Sequence, residues 1–326
     1  MSAHANPDII DDGLVFMYDT DDGKSYKGEP TTNLFPSPQL DNNTNTTVGE
    51  ASITLKNFGS DLVGLEMIQA ATSNIVTFSM GSLSSAVSGG AYTWSSYVNS
   101  TSIGHKVKAQ VTVRVDGVRY WLTNSNTWAT STTECTHLFA PTIANEWHRV
   151  DTQFTMPTGT LTEFQLGGWY RSTSNFTLRV ANAQLELKSH ATPFVNGARS
   201  STQGLLDRTG NETINLSDVS FNSNSEMIFD GTDDFIPLVD NPQNGENSVS
   251  WEFITKFDLV HDNETSTYRQ LYIQESSVWI GQYYDYIGID IAKDNGSWFD
   301  GNGGRVTSSK IGPVNSGEYY HVVFTW

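Results

Sequence analysis

The chain has 326 residues, with 18 Lys and Arg against 36 Asp and Glu, and a formal charge of −18. Aromatic residues make up 12% of it, too large a share for a disordered protein. No apolar run approaches the roughly 18 residues of a membrane-spanning helix, so we expect no membrane insertion. An acidic chain with few basic clusters is repelled by phosphate groups, so we expect no nucleic acid partner.

The length fits two domains of ordinary size, each able to bury a core. The single cysteine, Cys135, excludes an intrachain disulfide framework. Residues 1–12 carry neither the basic nor the apolar region of a secretion signal, so we expect assembly in a cytoplasm.

Period-two alternation predicts strands along most of the chain. It is clearest at residues 106–115, where every second residue is Val or Ala, and it leads through Asp116-Gly117, a hairpin signal, into a returning strand at 118–122. Further predicted strands cover residues 92–98, 147–154, 161–170, 177–187, 227–229, 250–257, 270–273, 278–283, 287–291 and 319–326.

Clusters of Gly, Asn, Asp and Ser separate these segments, and no long stretch shows helical periodicity. The pattern predicts an all-β protein made of antiparallel β-sandwiches of the jelly-roll kind.

A first resemblance lies between two loop-like composition breaks, at residues 30–38 and 191–197. The motifs are EWHRV at 146–150, FTMP at 154–157, ANAQLE at 181–186 and ATPF at 191–194. In this order they resemble the carbohydrate-binding-module-like jelly rolls of phage tail and fibre proteins and of bacterial polysaccharide-degrading enzymes. The resemblance implies a jelly roll over residues 35–195.

A second resemblance flanks the first. GLVFMYD at 13–19 and SYKG at 25–28 resemble the opening of laminin-G-like, concanavalin-A-like domains, whose next elements occur far downstream as DRTGN at 207–211 and FDGTDDFI at 229–236. We infer that the jelly roll is inserted into a sandwich formed by residues 13–34 and 196–326, because insertion at a surface loop is readily tolerated. Residues 1–12 would be an attachment segment.

The end of the chain, GEYYHVVFTW at 317–326, resembles a strand from the middle of such a domain. A sheet ending there would expose an unpaired edge. We therefore expect the natural protein to continue beyond Trp326, or another chain to complete the sheet.

Sugar recognition needs aromatic faces and short polar side chains, and the jelly roll is rich in both. We expect Trp94, Trp147 and Phe154 in the core. The aromatic residues expected near strand ends or loops, each of which also fits ordinary packing, form the predicted carbohydrate-binding set: Trp128 and Trp169 first, then Trp121, Tyr120 and Tyr170. The set contains two adjacent pairs, Tyr120 with Trp121 and Trp169 with Tyr170. One member of each must face outward, because successive residues of a strand point to opposite faces.

We expect no enzyme activity and no cofactor. No two carboxylates show the spacing on one strand that a glycosidase of this fold needs, and there is no Gly-x-Ser-x-Gly nucleophile motif. Calcium binding is one interpretation of three carboxylates, those of Asp230, Asp233 and Asp234. The other interpretation is a strand-ending turn whose carboxylates are solvated.

The resemblances together imply a bacteriophage virion protein, a tail fibre, spike or head-surface appendage that displays lectin-like sandwiches toward a host-surface glycan. Other virion proteins would be its partners, and it would be a homo-oligomer, although no heptad segment indicates a coiled-coil stalk. Two alternatives stay open: a purely structural virion decoration or connector protein, and a bacterial polysaccharide-binding module.

Overall fold

A computed structural model describes the backbone of residues 13–35, 38–40, 52–59, 61–69, 75–82, 86–103, 107–131, 137–139, 142–171, 176–229, 233–237, 250–256, 268–274, 278–283, 286–291 and 307–325. Within these residues the chain is all-β, as predicted, and contains no helix. It divides into a larger unit, Tyr18–Arg208 with Thr213–Pro237, and a smaller unit, Met1–Met17 with Thr209–Glu212 and Leu238–Trp326.

The strands of the larger unit pair antiparallel. They are β1 (Thr31–Thr32), β2 (Ser52–Asn57), β3 (Val63–Gln69), β4 (Ile75–Ser82), β5 (Ala91–Ser100), β6 (Val107–Val115), β7 (Val118–Leu122), β8 (Trp128–Ala129), β9 (His137–Phe139), β10 (His148–Thr155), β11 (Leu161–Arg171), β12 (Phe176–Glu186), β13 (Ala198–Arg199), β14 (Ser220–Phe221) and β15 (Met227–Ile228).

Two sheets form the sandwich of the larger unit. One has five strands in the order β10-β5-β12-β3-β2, and the other has the order β4-β11-β6-β7-β8, with β9 beside β6. Both contribute to one buried core, which includes Trp94, Leu178 and Val180 from the five-stranded sheet and Val113 and Leu122 from the other. The face of each sheet that is turned away from this core is called its outer face below.

The β6–β7 hairpin confirms the clearest prediction from the sequence. Val111, Val113 and Val115 are buried in the core, as the alternation requires. Asp116 and Gly117 have φ angles of 48° and 84°. Two consecutive left-handed residues are what a tight hairpin turn of type I′ needs, and glycine adopts that conformation at little cost.

The pattern did not identify β2, β3, β4 or the later strand at Thr307–Ile311. In β3 the outward positions hold Gly64 and Glu66, residue types that are rare in strands, and Glu66 is buried. Glu66 is accommodated there because Lys56 and Arg179, from neighbouring strands, bind its carboxylate.

Segments on either side of the predicted jelly roll pack against each other and against its last strand. Thr31 and Thr32 pair with Arg199 and Ala198. Asn33 Nδ2 donates to Ala183 O at 3.0 Å, and its Oδ1 accepts from the backbone N of Leu185 at 3.0 Å. The larger unit therefore includes residues 18–34 and 196–208, beyond the predicted limits of the jelly roll. The insertion of one domain into another stays a prediction.

In the smaller unit, a two-stranded sheet joins β16 (Ser250–Lys256) to β21 (Tyr319–Thr325). A four-stranded sheet has the order β17 (Tyr268–Gln274), β18 (Val278–Tyr283), β19 (Tyr286–Ile291) and β20 (Thr307–Ile311). The buried core of this unit contains residues of both sheets, among them Ile280, Ile287, Val322 and Phe324. In the same unit, Thr209 Oγ1 and Asn211 Nδ2 both donate to Val15 O at 3.2 Å.

The strand predicted at 227–229 is present as β15. The FDGTDDFI segment resembles a strand of laminin-G-like domains, but the described residues 233–237 form no strand. Phe235 is 55% exposed, and its backbone N donates to Asp218 O at 3.0 Å. Residues 230–232 lie outside the described part.

Candidate functional site

Two of the predicted sugar-binding aromatics, Tyr120 and Trp128, pack on the sandwich core. Both are half-buried against the core cluster. The indole N–H of Trp128 donates to Thr155 O at 2.8 Å, and its ring meets Phe154 edge-on, with ring centroids 5.9 Å apart. These contacts give Trp128 a role in packing, and its contact with a sugar stays a prediction.

Trp121 faces the other way. It lies between Tyr120 and Leu122 in β7, and successive residues of a strand point to opposite faces. Tyr120 and Leu122 contact the core, so Trp121 is on the outer face of its sheet, where it is half-buried and pairs with Thr112. The expectation that one member of this pair faces outward therefore identifies Trp121.

The backbone of Trp169 and Tyr170 lies in β11. Trp169 pairs with Lys108 of β6 and Thr77 of β4, and Tyr170 pairs with Val76. Their side chains lie outside the described residues, so their predicted part in sugar binding stays a prediction.

The three proposed calcium ligands are only partly described. Asp230 lies outside the described residues, Asp233 is exposed, and Asp234 Oδ1 accepts a hydrogen bond from the backbone N of Ser220 at 3.1 Å. Among the described residues, no three His, Cys, Asp or Glu side chains form a group that could hold a metal ion. Calcium binding by the full trio stays a prediction.

The outer face of the five-stranded sheet concentrates polar and aromatic side chains that we did not select from the sequence. Cross-strand register aligns a row over all five strands, consisting of Arg149, Tyr97, Ala181, Gly64 and Lys56. The next row holds Asn99, Arg179 and Glu66.

A hydrogen-bonded ion cluster occupies the second row. Arg179 donates from Nε to Glu66 Oε2 and from Nη1 to Asn99 Oδ1, both at 2.9 Å, and Lys56 Nζ binds Glu66 Oε1. The Glu66 side chain is only 7% exposed. Hydrogen bonds from Lys56 and Arg179 hold the pKa of Glu66 below its usual value, so this carboxylate is ionised at neutral pH.

Arg149 and Tyr97 form a cross-strand cation–π pair in the first row. The guanidinium carbon of Arg149 is 5.9 Å from the centroid of the Tyr97 ring. Its Nη2 donates to Ser95 Oγ at 3.2 Å and to Thr192 O. Both side chains are half-buried, so the ring and the guanidinium are held in place and remain accessible.

A further aromatic pair joins the two edges of this sheet. Phe58 follows β2 and Trp147 precedes β10, and these edge strands are about 19 Å apart at the usual strand spacing. Their ring centroids are nevertheless only 5.1 Å apart, with the rings inclined at 60°. Neither ring belongs to the core cluster, so this contact lies outside the core.

The placement of Trp147 corrects the expectation that it is a core residue. Trp94 and Phe154 are buried as predicted, at 2% and 5% exposure, whereas Trp147 is half-buried outside the core. The alternation in β10 offered a signal for Trp147. Val150, Thr152 and Phe154 are buried, so Arg149, and by the same period of two Trp147, belong to the opposite face. The contact with Phe58 had no local signal, since the two residues are far apart in sequence.

This outer face has the groups that bind a sugar. Flat rings contact the C–H face of a pyranose, and guanidinium and ammonium groups bind its hydroxyls. Asn99 and Glu66 are 2% and 6% exposed, so the accessible part of this face consists of the half-buried Tyr97, Arg149 and Arg179 and the exposed Lys56.

No protein-family model and no curated protein matches the chain. Three solved structures show the range of its structural neighbours. The enzymatically active domain of bacteriophage CBA120 tailspike protein 4 is 11% identical, with a TM-score of 0.36 over 47% of this chain and 21% of that one, so the match spans about a fifth of the tailspike domain.

The other two are matched over nearly their full length. A family 16 carbohydrate-binding module is 13% identical, with a TM-score of 0.29 over 47% of this chain and 99% of the module. A putative sugar-binding protein from Bacteroides thetaiotaomicron is 11% identical, with a TM-score of 0.33 over 48% of this chain and 100% of that one.

In the part of the chain that the structure describes, no helix has the length and apolar character needed to span a membrane.

Proposed function

We propose that the chain is a phage virion structural protein, a tail fibre, spike or head-surface appendage, whose larger unit binds a host-surface glycan. The site is the outer face of the five-stranded sheet. The virion assignment is supported by the resemblance of both sequence segments to phage and lectin-like domains. Glycan binding is supported by the side chains on that face.

One observation carries the proposal: Tyr97, Arg149 and Arg179 are accessible neighbours on one sheet face, held by contacts within the protein. Arg149 is fixed by Ser95 and Thr192, and Arg179 by Glu66 and Asn99. Side chains already held in place lose little conformational freedom on binding, which favours affinity.

The proposed activity is binding without catalysis. A glycosidase needs one carboxyl group with a raised pKa as its general acid. On this face the pKa of Glu66 is lowered by its hydrogen bonds to Lys56 and Arg179. Glu66 is therefore suited to hold its two cations in place and is unsuited to donate a proton.

A glycan array with the purified chain tests the binding proposal. We expect the wild-type chain to bind a subset of bacterial cell-surface glycans, and Tyr97→Ala to lose that binding. Tyr97→Phe is the matched control, because it keeps the ring. Equal binding by the wild type and Tyr97→Ala would reject this face as the site.

The virion assignment needs a separate experiment. Mass spectrometry and cryo-electron microscopy of purified particles should find this chain on the outer surface of a phage head or tail. Presence in particles without any glycan binding would favour a structural decoration or connector. Presence only in a cell-wall or cell-free fraction would favour a bacterial polysaccharide-binding module.

A further inference from the structure

Arg149 has binding capacity that the protein does not use. A guanidinium carries five N–H donors, and the two hydrogen bonds of Arg149 both come from Nη2. Among the described residues, Nε and Nη1 have no hydrogen-bond acceptor, and no carboxylate pairs with the guanidinium. Arg179 differs, since its Nε and Nη1 are occupied by Glu66 and Asn99.

Contacts within the protein hold the Arg149 guanidinium in place. The cation–π contact with Tyr97 and the hydrogen bonds from Nη2 hold the group at one side. Its Nε–H and two Nη1–H groups point in different directions, and each can donate to one oxygen of a carboxylate.

The described carboxylates of this face do not pair with Arg149. Lys56 and Arg179 share the single carboxylate of Glu66. Asp151, the next residue of β10 on this face, is exposed and forms no ion pair with Arg149 within the described part of the structure.

We propose that the outer face of the five-stranded sheet selects acidic sugars, with the Arg149 guanidinium binding the sugar carboxylate while the sugar ring contacts Tyr97. This inference rests on the proposed glycan binding and names its ligand class. A carboxylate in contact with a half-buried guanidinium forms a charge-assisted hydrogen-bonded pair, whereas the hydroxymethyl group of a neutral sugar offers only one neutral oxygen.

The experiment compares each glycan with its own neutral form. Uronic-acid-containing bacterial capsular polysaccharides, polygalacturonate and alginate are immobilised beside their carboxyl-reduced forms, in which the carboxylate has become a hydroxymethyl group. Neutral bacterial polysaccharides complete the panel. Binding of the purified full-length chain is measured at about 50 mM and about 500 mM NaCl, because salt screens accessible charges.

We expect binding to acidic members that falls at least about tenfold on carboxyl reduction and weakens in high salt. Equal binding to native and reduced forms, or binding confined to neutral members, would overturn the acidic-sugar inference and leave the proposed glycan binding intact. Absence of binding to every member would reject the proposed function itself.

Variants then identify the residue. Arg149→Gln should reduce affinity for the acidic glycan at least about tenfold and leave any residual binding insensitive to carboxyl reduction. Arg149→Lys should recover only part of the affinity, because it keeps the charge and loses the planar group that contacts the Tyr97 ring. Arg208→Gln is the matched control: it removes one positive charge from a residue that pairs with Asp22 in a flanking segment.

Since Arg149 also binds Thr192 O, the thermal stability of each variant is measured alongside. An Arg149→Gln chain that is folded and still prefers the native acidic glycan would overturn the role of Arg149.

Discussion

Thr31 Oγ1 donates a hydrogen bond of 2.6 Å to Glu186 Oε1, and both residues are buried. Glu186 ends the last long strand of the sandwich, and its carboxylate also accepts from the backbone N of Thr192 at 3.0 Å and from Thr192 Oγ1 at 2.5 Å. One buried carboxylate thus joins the flanking segment, β12 and the loop after it.

Glu186→Ala should therefore destabilise the larger unit. It removes the acceptor of three buried donors, and leaving such donors unsatisfied costs about 3 kcal/mol in total. Urea denaturation followed by tryptophan fluorescence measures the change. Glu186→Gln should cost less, because its amide oxygen still accepts. A loss below about 0.5 kcal/mol for Glu186→Ala would show that this contact does not hold the segments together.

Gly64→Ala should disrupt the five-stranded sheet. A Cβ at Gly64 would lie 2.0 Å from Val180 O and 2.6 Å from Ala181 Cα, both backbone atoms that can move only if β3 and β12 separate. We expect a destabilisation of at least about 2 kcal/mol, measured by thermal unfolding. Gly23→Ala, with no atom within 4 Å of its added Cβ, is the control and should leave the melting temperature nearly unchanged. Equal melting temperatures for the two variants would contradict this packing.

The ion cluster around Glu66 makes stability depend on pH. Hydrogen bonds from Lys56 and Arg179 lower the pKa of Glu66 from 4.5 in the folded chain. A carboxyl whose pKa is lowered by folding stabilises the protein above its unfolded pKa, and this contribution is lost as the pH falls through the lower, folded pKa. The free energy of unfolding of the wild type should therefore fall more steeply below pH 4.5 than that of Glu66→Gln. Parallel pH profiles would show that Glu66 is not held ionised.

Trp128→Ala should act on folding. The indole packs against Phe154 and donates to Thr155 O, so its removal should cost about 2 kcal/mol, less than for a fully buried tryptophan. Denaturation measures the stability, and the glycan array measures binding at a temperature where the variant is folded. A stable Trp128→Ala chain that no longer binds glycans would instead support the sugar contact predicted from the sequence.

The sequence predicted the elements of the sandwich better than their arrangement. Alternation identified β6, β7, β10 and β12 within a residue or two, because one face of each is buried in the core. The order β10-β5-β12-β3-β2 joins strands that are far apart in the chain. Its register depends on packing between the sheets, for which local pattern carries no information.

The residues of the candidate site also depend on the pairing of strands that are far apart in the chain. Aromatic residues near strand ends predict a sugar-binding set that includes Trp128, whose contacts in the structure are with Phe154 and Thr155. Tyr97 and Arg149 become neighbours only through the pairing of β5 with β10. The hydrogen-bonded ion cluster needs Lys56 of β2, Glu66 of β3 and Arg179 of β12 together. The strands β2 and β3 contain residues with low strand propensity, so the sequence pattern did not identify them.

The most direct test of the proposed site is isothermal titration calorimetry with a glycan identified on the array, comparing the wild type with Tyr97→Ala, Tyr97→Phe and Trp121→Ala. We predict a loss of affinity of at least about tenfold for Tyr97→Ala and little change for the other two, since Trp121 lies on the outer face of the other sheet. Full affinity in Tyr97→Ala together with lost affinity in Trp121→Ala would contradict the proposed site and place binding on the six-stranded sheet.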